Sequence, residues 1–139
     1  MLTKLEIYKF ILEWFDLITN QKIVDELIER LDENGFELKF PETTITDVEE
    51  FKNWYKTVKN QYFNQVHNVK NIDIEISKNQ ADIILTLNWE AHSRDVENPY
   101  SKKINCDVIQ SWVIAKNKKT NKPIIKKYIV NYMNENKKE

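Results

Sequence analysis

The hydrophobic period of the chain changes once, near residue 62, and this change constrains the fold more than any other feature. Before it, apolar residues recur at helical spacing; after it, they alternate with polar residues to the end. A period of 3.6 is typical of amphipathic helices and a period of two is typical of strands with one buried face. The linkers "KNQ" and "KKTNK" between the alternating segments are short and polar, which favours hairpins and antiparallel pairing.

The part before residue 62 predicts three helices. "TKLE" at 3–6 fits a capping box for the first helix, and "TDVE" at 46–49 fits one for the third. Asn20 is the expected N-cap of the second helix, and Gly35 in "DENG" is its expected end, because helix ends favour a left-handed residue. Between the second and third helices, "FELKF" is expected to form a short strand that leads into Pro41.

The part after residue 62 predicts four long strands, at about 66–77, 81–94, 103–117 and 123–134. The segment "DVENPYS" at 95–101 contains a proline and is expected to be a looser connection. Helices followed by an antiparallel meander indicate the α+β class. We therefore expect one domain over residues 1–139, with three N-terminal helices packed on the concave face of a curved antiparallel sheet.

His67 lies at the start of the first long strand, in "YFNQVHNVKNIDIEIS" (62–77). The three isoleucines of that segment share one face, since side chains alternate along a strand. Val69 is out of phase with them by one residue, and one extra residue near Lys70 or Asn71, a β-bulge, restores the phase. Counted back through this bulge, His67 points toward the interior. It is either a buried histidine satisfied by a neighbouring polar group, or a polar group reserved for a ligand.

The same alternation predicts the faces of other strand residues. Gln110 interrupts an otherwise apolar face of the third strand and is a second candidate for a pocket. Asp107 belongs to the opposite face, as a rim or interface residue or as a carboxylate that pairs with a histidine. His92 is expected at the surface of the second strand. Seven aromatic residues either line a cavity or fill it: Trp14, Phe15, Trp54, Tyr55, Tyr62, Trp89 and Trp112.

Composition excludes some classes of function. The formal net charge is -1 and the pI is near 6.2, so no basic face for nucleic acid is expected, and "KNKKTNKP" at 116–123 is interpreted as a solvated hairpin turn. No apolar run approaches the roughly 20 residues that cross a bilayer, and no signal peptide is apparent. Cys106 is the one cysteine and is expected in the core of a cytoplasmic protein. The histidines have no carboxylate at metal-ligand spacing, so neither metal nor cofactor is expected.

The order of these elements, with "FKNWYKTV", "HNVKNIDIEI", "LNWEA", "QSW" and "KPIIKKYIVNY", resembles the SnoaL-like branch of the nuclear transport factor two-like superfamily. The resemblance covers almost the whole chain. It implies an α+β cone, often dimeric through its sheet, with a pocket between the concave sheet and the helices. It also implies that His67 and Asn71 match a histidine and an asparagine that members of this branch often carry.

The catalytic groups of characterised members do not carry over. Where ketosteroid isomerases place a general-base aspartate before a proline, "KFPE" has Phe40. Where they place an oxyanion-binding tyrosine on the first helix, this chain has Trp14 or Phe15, and neither ring has a hydroxyl. Limonene epoxide hydrolases use a carboxylate in the last strand, and "KYIVNY" has none.

Three functions therefore stay open. The first is a pocket that binds a small, largely apolar molecule without established catalysis. The second is an isomerase, cyclase or dehydratase with His67 as general acid and base, since its ordinary pKa near 6.5 suits proton transfer. The third is an interaction module that forms a homodimer through the sheet. The expected ligand-binding residues are Trp14, Tyr55, Tyr62, His67, Asn71, Trp89, Gln110 and Trp112.

Overall fold

The structure is a computed structural model and describes residues 2–95 and 98–136. The helices are α1 (Lys4–Thr19), α2 (Val24–Ile28) and α3 (Val48–Gln61). The strands are β1 (Glu37–Lys39), β2 (Thr44–Ile45), β3 (Tyr62–Ser77), β4 (Gln80–Asp95), β5 (Asn98–Lys116) and β6 (Pro123–Glu135). The predicted α+β class, with three helices and four long strands, is confirmed, whereas the two-residue β2 was not predicted.

The six strands form one curved, unclosed sheet in the order β2-β1-β6-β5-β4-β3. The four long strands pair as consecutive antiparallel neighbours, which confirms the predicted meander. Short β1 pairs parallel with β6, so the sheet is mixed at that edge. The predicted loose connection at 95–101 is shorter than expected, because β4 extends to Asp95 and β5 begins at Asn98; residues 96 and 97 lie outside the described part.

Helix α1 begins as its sequence predicts. Thr3 is the N-cap, its hydroxyl accepts from the Glu6 amide at 3.2 Å, and the Glu6 carboxylate accepts from the Thr3 amide at 3.2 Å. The helix then buries one continuous face against the sheet, because its apolar residues recur at a spacing of three and four. That face consists of Ile7, Phe10, Ile11, Trp14, Phe15 and Ile18.

The predicted limits of the other two helices are wrong. Asn20 does not cap α2; it ends α1, where its side-chain amide donates to the Asp16 carbonyl at 2.9 Å. Helix α2 stops at Ile28 because the backbone of the next residues pairs with β6, and Gly35, at φ +134°, lies in a later turn. The N-cap of α3 is Asp47 rather than Thr46, and its carboxylate accepts from the Glu50 amide at 2.8 Å.

Strand β3 carries the predicted β-bulge. Val69 pairs with Leu87 and Asn71 pairs with Thr86, so Lys70 is the additional residue. A second irregularity between Phe63 and Val66, which was not predicted, coincides with the positive φ of Asn64, 51°. Bulges bend a strand and increase its twist, and here they flank the segment that carries His67.

Candidate functional site

A cavity of about 290 Å³ lies between the concave sheet, α3 and the β1–β2 connection. This volume is just below the range of typical ligand pockets, which begins at about 300 Å³. The lining is mostly apolar and aromatic, with a few polar groups, which is the usual composition of a small-molecule site. It consists of Ile18, Phe40, Pro41, Glu42, Trp54, Val58, Gln61, Tyr62, Gln65, His67, Leu87, Trp89, Val108, Gln110, Tyr128, Val130 and Met133.

His67 lies on the cavity wall, on the face that the bulge predicted. Its imidazole stacks on Phe15 with the ring centroids 5.2 Å apart, and its Nδ1 is 3.0 Å from the Thr19 hydroxyl. Thr19 is the last residue of α1, so the end of this helix fixes the orientation of the ring. This contact occupies Nδ1 and leaves Nε2 as the ring nitrogen available to the cavity.

Desolvation lowers the pKa of His67 to about 4, from an ordinary value of 6.5. Burial disfavours the charged imidazolium. Among the described residues, no carboxylate contacts the ring to offset that cost. At neutral pH the ring is therefore uncharged. The neutral ring is suited to hydrogen bonding. It is poorly matched to proton transfer near pH 7, because a general base works best when its pKa is near the operating pH.

Gln110 belongs to a chain of three buried polar side chains. The Trp112 indole Nε1 donates to Gln110 Oε1 at 2.9 Å, and Gln110 Nε2 donates to the Tyr128 hydroxyl at 3.0 Å. Residues 112 and 128 face each other across β5 and β6, and β5 places Gln110 on the same face as Trp112. Burial raises the pKa of Tyr128, so this phenol keeps its proton.

Gln65 is a second buried amide on the wall, contributed by β3. Its Oε1 accepts from the Trp89 indole Nε1 at 3.2 Å. Its Nε2 is enclosed and has no hydrogen-bond partner among the described residues. Unsatisfied buried donors are rare in folded proteins and call for an explanation, such as a water or a ligand.

Aromatic rings form the wall near the mouth of the cavity. Phe40 stacks on Trp54 with the centroids 4.4 Å apart, and Tyr62 meets Trp89 edge to face at 5.1 Å. Glu42 is exposed and is the one acidic residue of the lining, which contains neither lysine nor arginine. Burial, followed by the charge of Glu42, raises the pKa of Tyr62.

The structure brings together four of the eight residues expected to bind a ligand: Tyr62, His67, Trp89 and Gln110. Trp14 and Trp112 lie in the core instead, each 1% exposed, and contact each other edge to face. Tyr55 is also outside the cavity lining; its hydroxyl donates to the Lys22 carbonyl at 2.6 Å. Asn71 is exposed, because the bulge at Lys70 turns it to the outer face, where it donates to Asp73 at 3.4 Å.

Sequence reasoning missed Gln65, Tyr128 and Phe40 as cavity residues. The position of Gln65 was readable, since it lies two residues before His67 and alternation places both on one face. The place of Tyr128 depends on the register of β6 against β5, which the short hairpin linker alone does not specify. For Phe40, the resemblance indicated only that it stands where isomerases have a carboxylate.

The other polar candidates lie away from the cavity. His92 lies on the outer face of β4, as predicted, but it is half-buried there: its ring stacks on Phe63 at 5.3 Å, and its enclosed Nδ1 has no partner among the described residues. Asp107 is exposed on the outer face and accepts from Asn88 at 3.1 Å; this hydrogen bond lowers its pKa. Cys106 is buried in the core, as predicted.

Two kinds of feature are absent from the part of the chain that the structure describes. No group of three or more histidine, cysteine, aspartate or glutamate residues is placed to hold a metal ion within residues 2–95 and 98–136. In the same ranges, no helix has the length and apolar character needed to cross a membrane. The expectations of no metal, no cofactor and no membrane partner stay predictions.

No known family's sequence profile matches this chain, and no curated protein matches it. Solved structures do. A proposed aromatic ring hydroxylase from Novosphingobium aromaticivorans superposes with a TM-score of 0.81 at 9% identity, over 95% of this chain and 92% of that one.

Two further structures are similar over nearly the whole chain. A proposed scytalone dehydratase from the same organism has a TM-score of 0.75 at 13% identity, over 96% of this chain and 87% of its own. A nuclear transport factor two-like superfamily protein from Salmonella enterica has a TM-score of 0.75 at 16% identity, over 97% of this chain and 92% of its own. At these identities the likeness establishes the fold. The chain has the α+β cone fold of these structures, and the fold that its element order predicted is confirmed.

Proposed function

We propose that this protein binds a small, largely apolar molecule in the cone cavity, with His67 as a neutral polar contact and without established catalysis. The observation that carries the proposal is the cavity itself. It remains open although Trp14, Phe15 and Trp112 fill the adjacent core, and it combines an aromatic wall with a small number of buried polar groups. Burial of apolar surface would supply most of the affinity, at about 25 cal/mol per Å².

The chemistry of the wall argues against the reactions of ketosteroid isomerases and limonene epoxide hydrolases. Phe40 stacks on Trp54 at the position of the isomerase carboxylate, so no general base is present there. The aromatic residues of α1 that stand for the isomerase tyrosine are both buried in the core. The described lining holds one carboxylate, Glu42, and it is exposed at the mouth.

A dehydratase or cyclase is the second candidate. Several structures with this fold carry proposed names of that kind, among them a dehydratase from Streptomyces avermitilis and a polyketide cyclase from Xanthomonas campestris. In this chain His67 lines the cavity and has the ordinary pKa nearest to neutrality among the titratable groups of the described lining. The low pKa of His67 makes this the weaker candidate, because a bound substrate would first have to raise it. If a substrate is found, full turnover by His67→Ala would eliminate the histidine as catalyst.

Binding can be tested with N-phenylnaphthylamine, an uncharged fluorophore that brightens in apolar sites. We expect saturable binding to the wild-type protein, and loss of binding in Val58→Trp, which places a large ring in the cavity from α3. The matched control is Leu12→Trp, which adds the same ring on the exposed side of α1. Equal binding by both variants, or none by the wild type, would contradict the proposal.

Homodimerisation through the sheet is a separate proposal. Its support is that the outer sheet face exposes Ile84, Ile109 and Tyr132. Sedimentation of the intact chain tests it, and a monomer at all concentrations would contradict it. Cytoplasmic location also stays a prediction.

A further inference from the structure

Two hydrogen-bond chains end at the cavity, and in both the direction of donation is fixed. An indole N–H donates and never accepts, so Trp89 forces the amide oxygen of Gln65 toward itself. Trp112 does the same to Gln110. The orientation of each amide therefore follows from its tryptophan partner, although oxygen and nitrogen are alike in shape.

Each chain consequently presents a donor at its end. In the first, Gln65 Nε2 is left with its protons and no described partner. In the second, Gln110 Nε2 donates to the Tyr128 oxygen, and no described residue accepts the Tyr128 proton. The raised pKa of Tyr128 keeps that proton in place. A ligand that complements these groups must supply acceptors.

The charge of the lining selects among acceptors. A carboxylate or phosphate would need a cation, since burying an unpaired charge is costly. The described lining offers no lysine or arginine, His67 is neutral, and Glu42 would repel an anion at the mouth. A carbonyl oxygen accepts hydrogen bonds without a charge.

We propose that the cavity takes a neutral apolar molecule bearing a carbonyl oxygen, such as a ketone, and that the Gln65 amide and the Tyr128 hydroxyl are the donors that recognise it. Gln65 lies on β3 and Tyr128 on β6, with β4 and β5 between them. The two donors thus belong to separate parts of the wall, and a ligand with two carbonyl groups could use both. This inference rests on the proposed function and names its ligand class.

The test compares three probes built on one bicyclic skeleton: α-tetralone, which has a ketone; tetralin, which has none; and tetralin carboxylate, which is anionic. Affinities come from heteronuclear amide NMR titrations of the intact chain, which also report the Gln65 side-chain amide. We expect wild-type protein to prefer the ketone over tetralin by about ten-fold, because a neutral hydrogen bond is worth a few-fold to about ten-fold in affinity. We also expect it to bind the carboxylate more weakly than the ketone.

The variants are Gln65→Met and Tyr128→Phe, alone and together. At least one single variant and the double variant should lose the preference for the ketone while keeping the affinity for tetralin. Retained tetralin binding shows that the cavity is intact. The inference is overturned if the wild type binds ketone and tetralin equally, if it binds the carboxylate more tightly, or if the double variant keeps the preference. In those three cases the proposed function survives, whereas binding of no probe would overturn both.

Discussion

The depressed pKa of His67 makes a quantitative prediction about stability. In the folded chain the pKa is about 4, whereas in the unfolded chain it returns to about 6.5. Between these values the unfolded state binds more protons, so the free energy of unfolding falls as the pH falls through this window. At pH values above the pKa of the unfolded state, His67 does not lower the free energy of unfolding. From about pH 7.5 to pH 5, His67 alone should remove about 2 kcal/mol of stability.

The perturbation that isolates this contribution is His67→Gln, which replaces the imidazole by an uncharged amide. Urea denaturation at several pH values gives the free energy of unfolding of both proteins, and the difference between them cancels the contributions of the carboxylates. We expect the wild type to lose about 2 kcal/mol more than the variant over that range. His92→Gln, which removes the other histidine from the outer face, serves as the matched control.

The reasoning would be refuted by parallel pH profiles for wild type and His67→Gln. It would also be refuted by an NMR titration that places the pKa of His67 near 6.5. Either result would mean that the ring is solvated, and a solvated ring could not be a neutral contact in an apolar cavity. An elevated pKa would instead revive the acid–base hypothesis.

Three further predictions concern residues outside the cavity. Asp47→Ala should lower the free energy of unfolding by about 1 kcal/mol through loss of the α3 cap, while Thr46→Ala should cost less. Tyr55→Phe should cost about 1 kcal/mol, since it removes the hydrogen bond to Lys22, and should leave N-phenylnaphthylamine affinity unchanged; a loss of affinity would place Tyr55 back in the site. Cys106 should react with a thiol reagent only on unfolding, because it is buried and its pKa is raised, and rapid labelling of the folded protein would contradict its placement.

The sequence determined the direction of His67 because alternation and one phase slip are local properties of a strand. Lys70 is the inserted residue, and the face of His67 follows from counting. The same counting assigns Asn71 to the outer face, whereas the family resemblance implied a place in the site. The structure agrees with the alternation, because Asn71 is exposed on the outer face.

Alternation along a strand does not predict which inward-facing residues reach the cavity and which lie deeper in the core. Trp14, Trp89 and Trp112 all face inward, yet only Trp89 reaches the cavity. Periodicity gives the face of a residue, whereas its distance from the open end depends on strand register and sheet curvature. The predicted limits of α2 were wrong for a related reason. The backbone after Ile28 pairs with β6, and this contact joins segments that are far apart in the chain.

The most direct test of the central claim is a crystal structure of the protein grown with α-tetralone. We predict electron density for the probe in the cavity lined by His67, Trp89 and Tyr128, with its oxygen within hydrogen-bond distance of the Tyr128 hydroxyl or the Gln65 amide. Side chains that fill this space, or a probe bound only on the outer surface, would contradict the account.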